Sequence, residues 1–467
     1  MTEYEQFLES KKERAISCGF EKAKDLMCSD MFDWQKDIVF WALKKGRAAL
    51  FEDCGLGKTL QSLEWSKSVQ EHTGSPVLIV CPLAVAEQTK SEADKFGFQN
   101  VKVVRDQNQV VSGVNITNYE MLDHFDASAF SGVVLDESSI LKNYSGQMRT
   151  EITEKFRYTP YKLSCTATPA PNDYMELGNQ SEFCGVMSRT EMLATYFIHD
   201  GGETSKWRLK GHAHDLFWEW LATWAVVMTN PKDLGYDGEG YELPALNTIQ
   251  HTIKSENNII NDNYSLFAEI AQTLNERRNA RRNSIESRCE KAASLVSGKS
   301  NEQWLIWCDL NAEADELKRL IPGSVEVRGT DDPKTKAENL NGFTVGKIQT
   351  LISKPSIAGF GLNWQNCHNM IFVGLSDSFE MLYQAVRRCW RFGQKSPVDV
   401  HIITSEAEGA VKENIERKEK QAAEMTAEMV RHTKEILEQE IRGTQRISIP
   451  YDPQIEMVVP EWLVSVA

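Results

Sequence analysis

A glycine-bearing turn followed at once by lysine and threonine, Cys54-Gly55-Leu56-Gly57-Lys58-Thr59, is the stretch best suited to hold phosphate. It follows a short apolar run, Ala48–Phe51, and precedes a helical pattern, Leu60–Val69. Strand, glycine turn and helix in that order let consecutive backbone N–H groups converge on an anion. The positive end of the helix dipole lies behind them. Lys58 can reach outer phosphates and the Thr59 hydroxyl can ligate Mg²⁺. Gly55, Leu56, Gly57, Lys58 and Thr59 are therefore candidate nucleotide-binding residues. The general pattern places a glycine five residues before Gly57, and Glu52 stands there. A plain strand–helix turn is the competing reading.

Three further groups fit the same chemistry. Asp136-Glu137 follows the apolar run Gly132–Leu135. Asp136 can hold Mg²⁺ through water while Glu137 activates the attacking water; a polar strand end, with Asp136 as a cap, is the plainer alternative. Gln35, beside Phe32 and Trp34, can read an adenine edge while a ring stacks; a helix start with a core aromatic competes. Tyr383–Gln394 carries Arg387, Arg388 and Arg391, and the three-residue spacing of the last two predicts one helix face. Alone that would be a surface helix, but opposite a phosphate loop its guanidinium groups can neutralise transition-state charge.

These residues need a scaffold, and the apolar runs predict one. Pro76–Cys81, Val101–Val104, Val114–Thr117, Gly132–Leu135 and Tyr161–Cys165 read as strands, with helices over Leu83–Phe96 and Tyr119–Phe125. Such alternation implies a parallel, doubly wound sheet, in which ligands collect at strand carboxyl ends. The phosphate loop, Asp136-Glu137 and Thr166–Pro169 all sit at such ends. A second series, Gln303–Cys308, Ser324–Val327, Lys347–Ile352, Met370–Val373 and Val398–Ile403, predicts another sheet, with a helix over Ala312–Leu320 capped by Asn311. Between the two, the aromatic-rich Phe217–Ala225 reads as a buried helix of an inserted subdomain, and Pro231–Pro244 as a connector. Arg277, Arg278, Arg281 and Arg282 share one predicted helix face near Arg288. A solvated face and a phosphate-backbone contact suit that cluster equally. The expected organisation is a helical lead-in over 1–30, a nucleotide lobe over 31–180, a helical insert over 181–300, a second lobe over 301–405, and a charged helix and tail over 406–467.

Bulk properties narrow the field. The chain has 467 residues and a formal net charge of −15, so any nucleic-acid groove must be local rather than a broad basic surface. Its ten cysteines form no C-x-x-C pair and its nine histidines no ligand cluster, although His212 and His214 alternate in a polar stretch. No apolar run can span a bilayer and the charged N-terminus is no signal peptide, so a reducing, cytoplasmic setting without membrane contact is expected.

In their order along the chain, these motifs resemble those of superfamily-two nucleic-acid motors of the Swi/Snf-like group. In size the chain is similar to compact, phage-type members. That group carries an acidic residue where Glu52 replaces the first glycine of the phosphate loop. Trp34-Gln35 resembles its adenine-side motif, Asp136-Glu137-Ser138-Ser139 its second, Ser164–Pro169 its third, Ser353–Trp364 its fifth and Gln384–Gln394 its sixth. The resemblance implies two RecA-like lobes with ATP·Mg²⁺ between them and a DNA track, preferably duplex, across both; if the chain is phage-encoded, the setting is the bacterial host cytoplasm. It places Gln384, Arg388 and Arg391 with Lys58, Asp136 and Glu137 as catalytic residues, leaves Arg387 as an extra arginine, and sets Gly359, Gly361 and Asn363 near a phosphate. It departs at Ser139, where the family has a histidine that couples hydrolysis to movement. The sequence leaves open a strand-separating DNA or RNA helicase, and a DNA- or protein-binding module with little hydrolysis. A protein partner on the 181–300 insert is a further expectation.

Overall fold

The computed structural model describes residues 16–442 other than 84, 143–145, 200–206, 254–281, 283, 359–361, 376–377 and 407–408. In chain order the strands are β1 Arg47–Glu52, β2 Val77–Cys81, β3 Val101–Val103, β4 Val114–Asn118, β5 Gly132–Asp136, β6 Tyr161–Cys165, β7 Phe197–His199, β8 Trp207–Leu209 and β9 Ala225–Met228. They continue as β10 Leu246–Ile253, β11 Trp304–Cys308, β12 Val325–Val327, β13 Thr350–Ser353, β14 Asn369–Val373 and β15 Val398–Ser405.

Two parallel sheets result, ordered β3-β4-β2-β5-β6-β1-β9 and β10-β15-β14-β11-β13-β12. The central strands of each are buried on both faces, which is why they read as nearly continuous apolar runs, whereas the edge strand β10 is largely exposed. Along β1, Ala48 and Leu50 enter one core while Ala49 and Phe51 enter the other. Along β11, Leu305 and Trp307 part in the same way from Trp304, Ile306 and Cys308. The expected pair of doubly wound α/β lobes is therefore present. In the first sheet β5, β6 and β1 are neighbours, so the three loops that leave their carboxyl ends emerge side by side.

Several local expectations are corrected. Four of the described strands come from the stretch read as a helical insert: β7 and β8 pair with each other, β9 pairs with β1, and β10 with β15. The aromatic helix spans His214–Ala222, and Phe217, Trp218, Trp220 and Trp224 are all buried in the first-lobe core rather than in a separate subdomain. The helix expected over Tyr119–Phe125 is present as a 3-10 helix, Tyr119–His124. Asn311 begins its helix instead of capping it: Leu310 holds the cap position, and the Glu313 carboxylate accepts the N–H groups of Asp309 and Leu310 at 2.9 and 3.0 Å. Of the lead-in, the described residues 16–30 hold only a 3-10 turn, Lys24–Leu26. Their neighbour Lys22 is tied to Glu64 and Glu71 at 3.1 and 2.9 Å.

The charged helix runs over Gly409–Arg442 and crosses between the lobes. Ile415 enters a second-lobe core, whereas Met425, Met429, Leu437 and Ile441 enter first-lobe cores. Among the described residues, no helix is long and apolar enough to cross a membrane.

Candidate active site

β1 ends at Glu52, and the chain turns through Asp53–Gly57 into the helix Lys58–Thr73. Gly55 and Gly57 adopt φ of 91° and 80°, a left-handed conformation that favours glycine. A Cβ on Gly57 would lie 2.4 Å from Gln35 Nε2. That amide is committed: Nε2 donates to Leu56 O at 2.9 Å, and Oε1 accepts the Phe32 N–H at 3.0 Å. In this structure Gln35 shapes the loop rather than presenting a free edge. Trp34 is core, as the plainer sequence reading had it, and the ring beside the pocket is the half-exposed Phe32. Lys58 Nζ donates to the carbonyls of Glu52 and Asp53 at 2.7 and 3.0 Å.

Glu52 lies beneath this loop with no exposed surface. Gln61 Nε2 donates to its Oε2 at 2.7 Å, while Oε1 is buried without a partner. Burial pushes its pKa up to about 7, against the opposing pull of Lys58 and the Gln61 hydrogen bond.

Asp136 closes β5, and Glu137 follows at φ 55°, a left-handed conformation unusual for a side-chain-bearing residue. The Tyr119 hydroxyl donates to Asp136 O at 2.8 Å and pins the turn. Loss of water in the cleft raises both carboxyl pKa values; the negative charge of Asp136 adds to that effect and takes Glu137 to about 7. Thr168 N–H donates to Thr166 Oγ1 at 3.1 Å, and Thr168 Oγ1 donates across the lobes to Glu380 Oε1 at 3.4 Å. Lys142 also pairs with Glu380.

The second lobe supplies the opposite wall. Its helix Phe379–Val386 stops short of the arginines, so Arg388 and Arg391 lie on the turns that follow rather than on one helix face. Both still line the pocket, each donating to Leu362 O, at 3.1 and 3.4 Å. Gln384 is buried and bridges the lobes: Nε2 donates to Glu137 Oε2 at 3.5 Å, and Oε1 accepts from Arg388 at 3.0 Å. Burial lowers both arginine pKa values, that of Arg391 to about 10 with the Arg388 charge adding. Neither forms an ion pair with a carboxylate among the described residues.

The lobes enclose a cavity of about 300 Å³ lined by Lys58, Thr59, Asp136, Glu137, Arg388 and Arg391. Arg391 Nε and Asn363 Oδ1 are buried there without partners. Desolvated guanidinium groups without carboxylates, facing a glycine loop and a lysine, fit a polyphosphate. Thr59 and Asp136 offer the hard oxygen donors that suit Mg²⁺. Gly361, assigned to this site with Gly359, lies outside the described residues.

Three features escaped sequence reasoning. Tyr241, from the stretch read as a connector, stacks on Phe392 at 4.6 Å and meets Phe32 edge-on at 6.2 Å. Glu380 bridges the lobes beside Thr168. Asp53 pairs with Arg387. Close spacing marks none of them, since their partners are at least 150 residues away. Of the arginine cluster, residues 277, 278 and 281 lie outside the described residues; Arg282 is exposed, and Arg288 is buried against Glu313 at 2.8 Å. His214 meets His432 and Glu428. Its Nε2 accepts from Trp218 Nε1, and His432 Nε2 lies within hydrogen-bond distance of both Arg431 and Glu428.

Comparison with known proteins gives two domain matches, an SNF2-related domain over residues 34–188 and a helicase conserved C-terminal domain over 287–393. Protein p41 of Acyrthosiphon pisum secondary endosymbiont phage 1 is 24% identical over 440 residues, covering 80% of this chain and 92% of that protein. A SWI/SNF-related matrix-associated actin-dependent regulator of chromatin, subfamily A-like protein 1, from Xenopus tropicalis is 32% identical over 163 residues, covering 32% of this chain and 17% of that one. The DNA repair and recombination protein RAD54B of Gallus gallus is 35% identical over 163 residues, covering 29% and 17%. The chain thus spans most of the phage protein but only about a sixth of the two larger ones. The Sulfolobus solfataricus SWI2/SNF2 ATPase core in complex with dsDNA aligns over 89% of this chain and 97% of its own, at 16% identity and a TM-score of 0.41.

Proposed function

We propose that this chain, which belongs to the Swi/Snf-like group of superfamily-two helicases, is a DNA-dependent ATPase that translocates on duplex DNA. Its domains are SNF2-family helicase-like ATPase domains, and that family uses ATP. One observation carries the reading: a phosphate loop in one lobe faces two desolvated arginines of the other across a shared cavity.

Each side chain then has a role. Lys58 leaves the carbonyls of Glu52 and Asp53 to bind outer phosphate oxygens. Thr59 and Asp136 would hold Mg²⁺. Glu137, ionised, orients a water and takes its proton. Arg388 and Arg391 stabilise charge on the transferred group from the opposite lobe. Gln384, between Glu137 and Arg388, keeps base and arginine in register. Bound ATP·Mg²⁺ supplies the anhydride to be cleaved and neutralises part of its charge. Because the cavity has walls from both lobes, filling and emptying it is coupled to lobe closure and reopening. The DNA part of the reading draws on family membership and on the likeness to a DNA repair and recombination protein.

Steady-state ATP hydrolysis at low salt tests it, without nucleic acid and then with single-stranded DNA, duplex DNA and RNA. Strong stimulation by duplex DNA is expected, absent in Lys58→Ala. Glu137→Gln should bind ATP yet turn over at least about 100-fold more slowly. Near-normal turnover by that variant would remove the base. Stimulation by single strands alone would replace translocation with strand separation, and stimulation by RNA alone would make the chain an RNA motor. A DNA-indifferent rate would favour a binding module.

A further inference from the structure

Arg387 is the arginine that the cavity does not use. It is 3% exposed and does not line the cavity, and its guanidinium reaches the start of the phosphate loop. One terminal nitrogen donates to Asp53 Oδ2 at 2.6 Å and to Cys54 O at 2.7 Å. The Tyr383 hydroxyl donates to Asp53 Oδ1, as does the Cys54 N–H at 2.6 Å. The rings of Trp390 and Tyr383 flank the guanidinium, 4.9 and 5.8 Å from its central carbon. Asp53 and Cys54 begin the phosphate loop of one lobe, whereas Tyr383, Arg387 and Trp390 belong to the other.

We propose that Asp53, Tyr383 and Arg387 form an inter-lobe latch in which Arg387 is a positioning residue. It docks the arginine-bearing turn on the phosphate loop before nucleotide enters. Arg388 is the next residue and Arg391 follows within the same turns, so fixing Arg387 to the loop sets where both project. The latch also grips the loop itself, through the Cys54 carbonyl and the Asp53 carboxylate, beside the N–H groups that would receive phosphate. The Arg387 guanidinium is buried and the Asp53 carboxylate is 19% exposed, and among the described residues each is the other's ion-pair partner, so the contact is two-sided: each lobe needs the other to satisfy it. The inference rests on the ATPase reading of the pocket and adds that the catalytic arginines are pre-placed by a third.

Two measurements test it on the full chain. The first is amide hydrogen exchange of nucleotide-free protein, which requires no catalysis. Arg387→Met should speed exchange in Cys54–Gly57 and in Phe379–Val386 together. The second is ATP hydrolysis with saturating duplex DNA. Arg387→Met should lower kcat about 100-fold and change KM by less than that, because misplaced arginines act on the transferred group while the loosened loop still keeps Lys58 and its glycine turn. Adding Asp53→Asn should restore about tenfold of that loss by removing the orphaned carboxylate, an effect that a packing role for Arg387 could not produce. Arg387→Lys, which keeps the charge, guards against loss of fold and should fall between wild type and Arg387→Met. Unchanged exchange in both segments, or a kcat loss that Asp53→Asn leaves in place, would overturn the latch. Wild-type protein that hydrolyses no ATP would defeat the ATPase reading, and the exchange comparison would still decide the latch.

Discussion

Replacing Glu52 by Gln should flatten the pH dependence of first-lobe stability. The Glu52 carboxyl has no exposed surface, and its pKa rises from 4.5 to about 7. At about 1.4 kcal/mol per pH unit, that gap is worth about 3 kcal/mol. The sign follows from which state holds the proton more tightly. The folded chain does, so this stabilisation is fully present below pH 4.5 and is lost as pH rises through 7. Gln cannot ionise, and it can still accept the Gln61 hydrogen bond. Its added N–H₂ meets the place where Oε1 already lacks a partner, a cost of about 1–2 kcal/mol that does not vary with pH. The variant should thus be slightly less stable than wild type near pH 4.5 and more stable at pH 8, the difference moving by about 3 kcal/mol across the interval. Two lobes need not unfold in one step, so the assay is native-state exchange of β1 and β6 amides from pH 5 to 8, corrected for intrinsic rates. Parallel wild-type and variant profiles would refute the reasoning, because they would mean that Glu52 titrates like an exposed carboxylate.

Two more perturbations address the pocket. Gly57→Ala forces a side chain onto a left-handed position and drives its Cβ into the Gln35 amide, so ATP affinity should fall at least about tenfold while the lobes stay folded; an unchanged Kd by calorimetry would show that the loop can adjust. Tyr241 lines the cavity between Phe32 and Phe392, where its ring can contact bound nucleotide, so Tyr241→Ala should raise KM for ATP about two- to tenfold at unchanged kcat; a kcat loss at constant KM would assign the ring to lobe closure instead.

What was legible was what neighbouring residues encode. The apolar run of β1, the glycines and the helix that starts at Lys58 lie within one short stretch, so their order alone defines the loop. Asp136 and Thr166 were legible because each follows a buried strand, and parallel sheets put such ends on one side. β9 was hidden because Ala225–Met228 directly follows Phe217–Trp224, and an apolar run beside a helix carries no period of its own. The turn at Arg387–Arg391 was misread for the opposite reason: its spacing is helical, yet the backbone leaves the helix at Val386. Asp53, Glu380 and Tyr241 could not be found from spacing at all. Their partners come from the other lobe or from distant loops, and only closure brings them together.

The helix Gly409–Arg442 carries that argument to the whole chain. Its mixed charges suit solvent, but Met425, Met429, Leu437 and Ile441 recur at multiples of four, a row that winds around the helix as it passes from one first-lobe core to the other. Trp41 Nε1 and Lys45 Nζ both reach Glu440 at 2.9 Å, fixing its far end to the first lobe. Its near end follows β15 and places Ile415 in a second-lobe core. One helix thus has a foot in each lobe, independently of the cleft contacts. Rupture of the Asp53–Arg387 pair removes a contact at the pocket but leaves this helix in place. Lobes released at the cleft therefore stay tethered through the helix, and opening becomes a hinged motion rather than a separation.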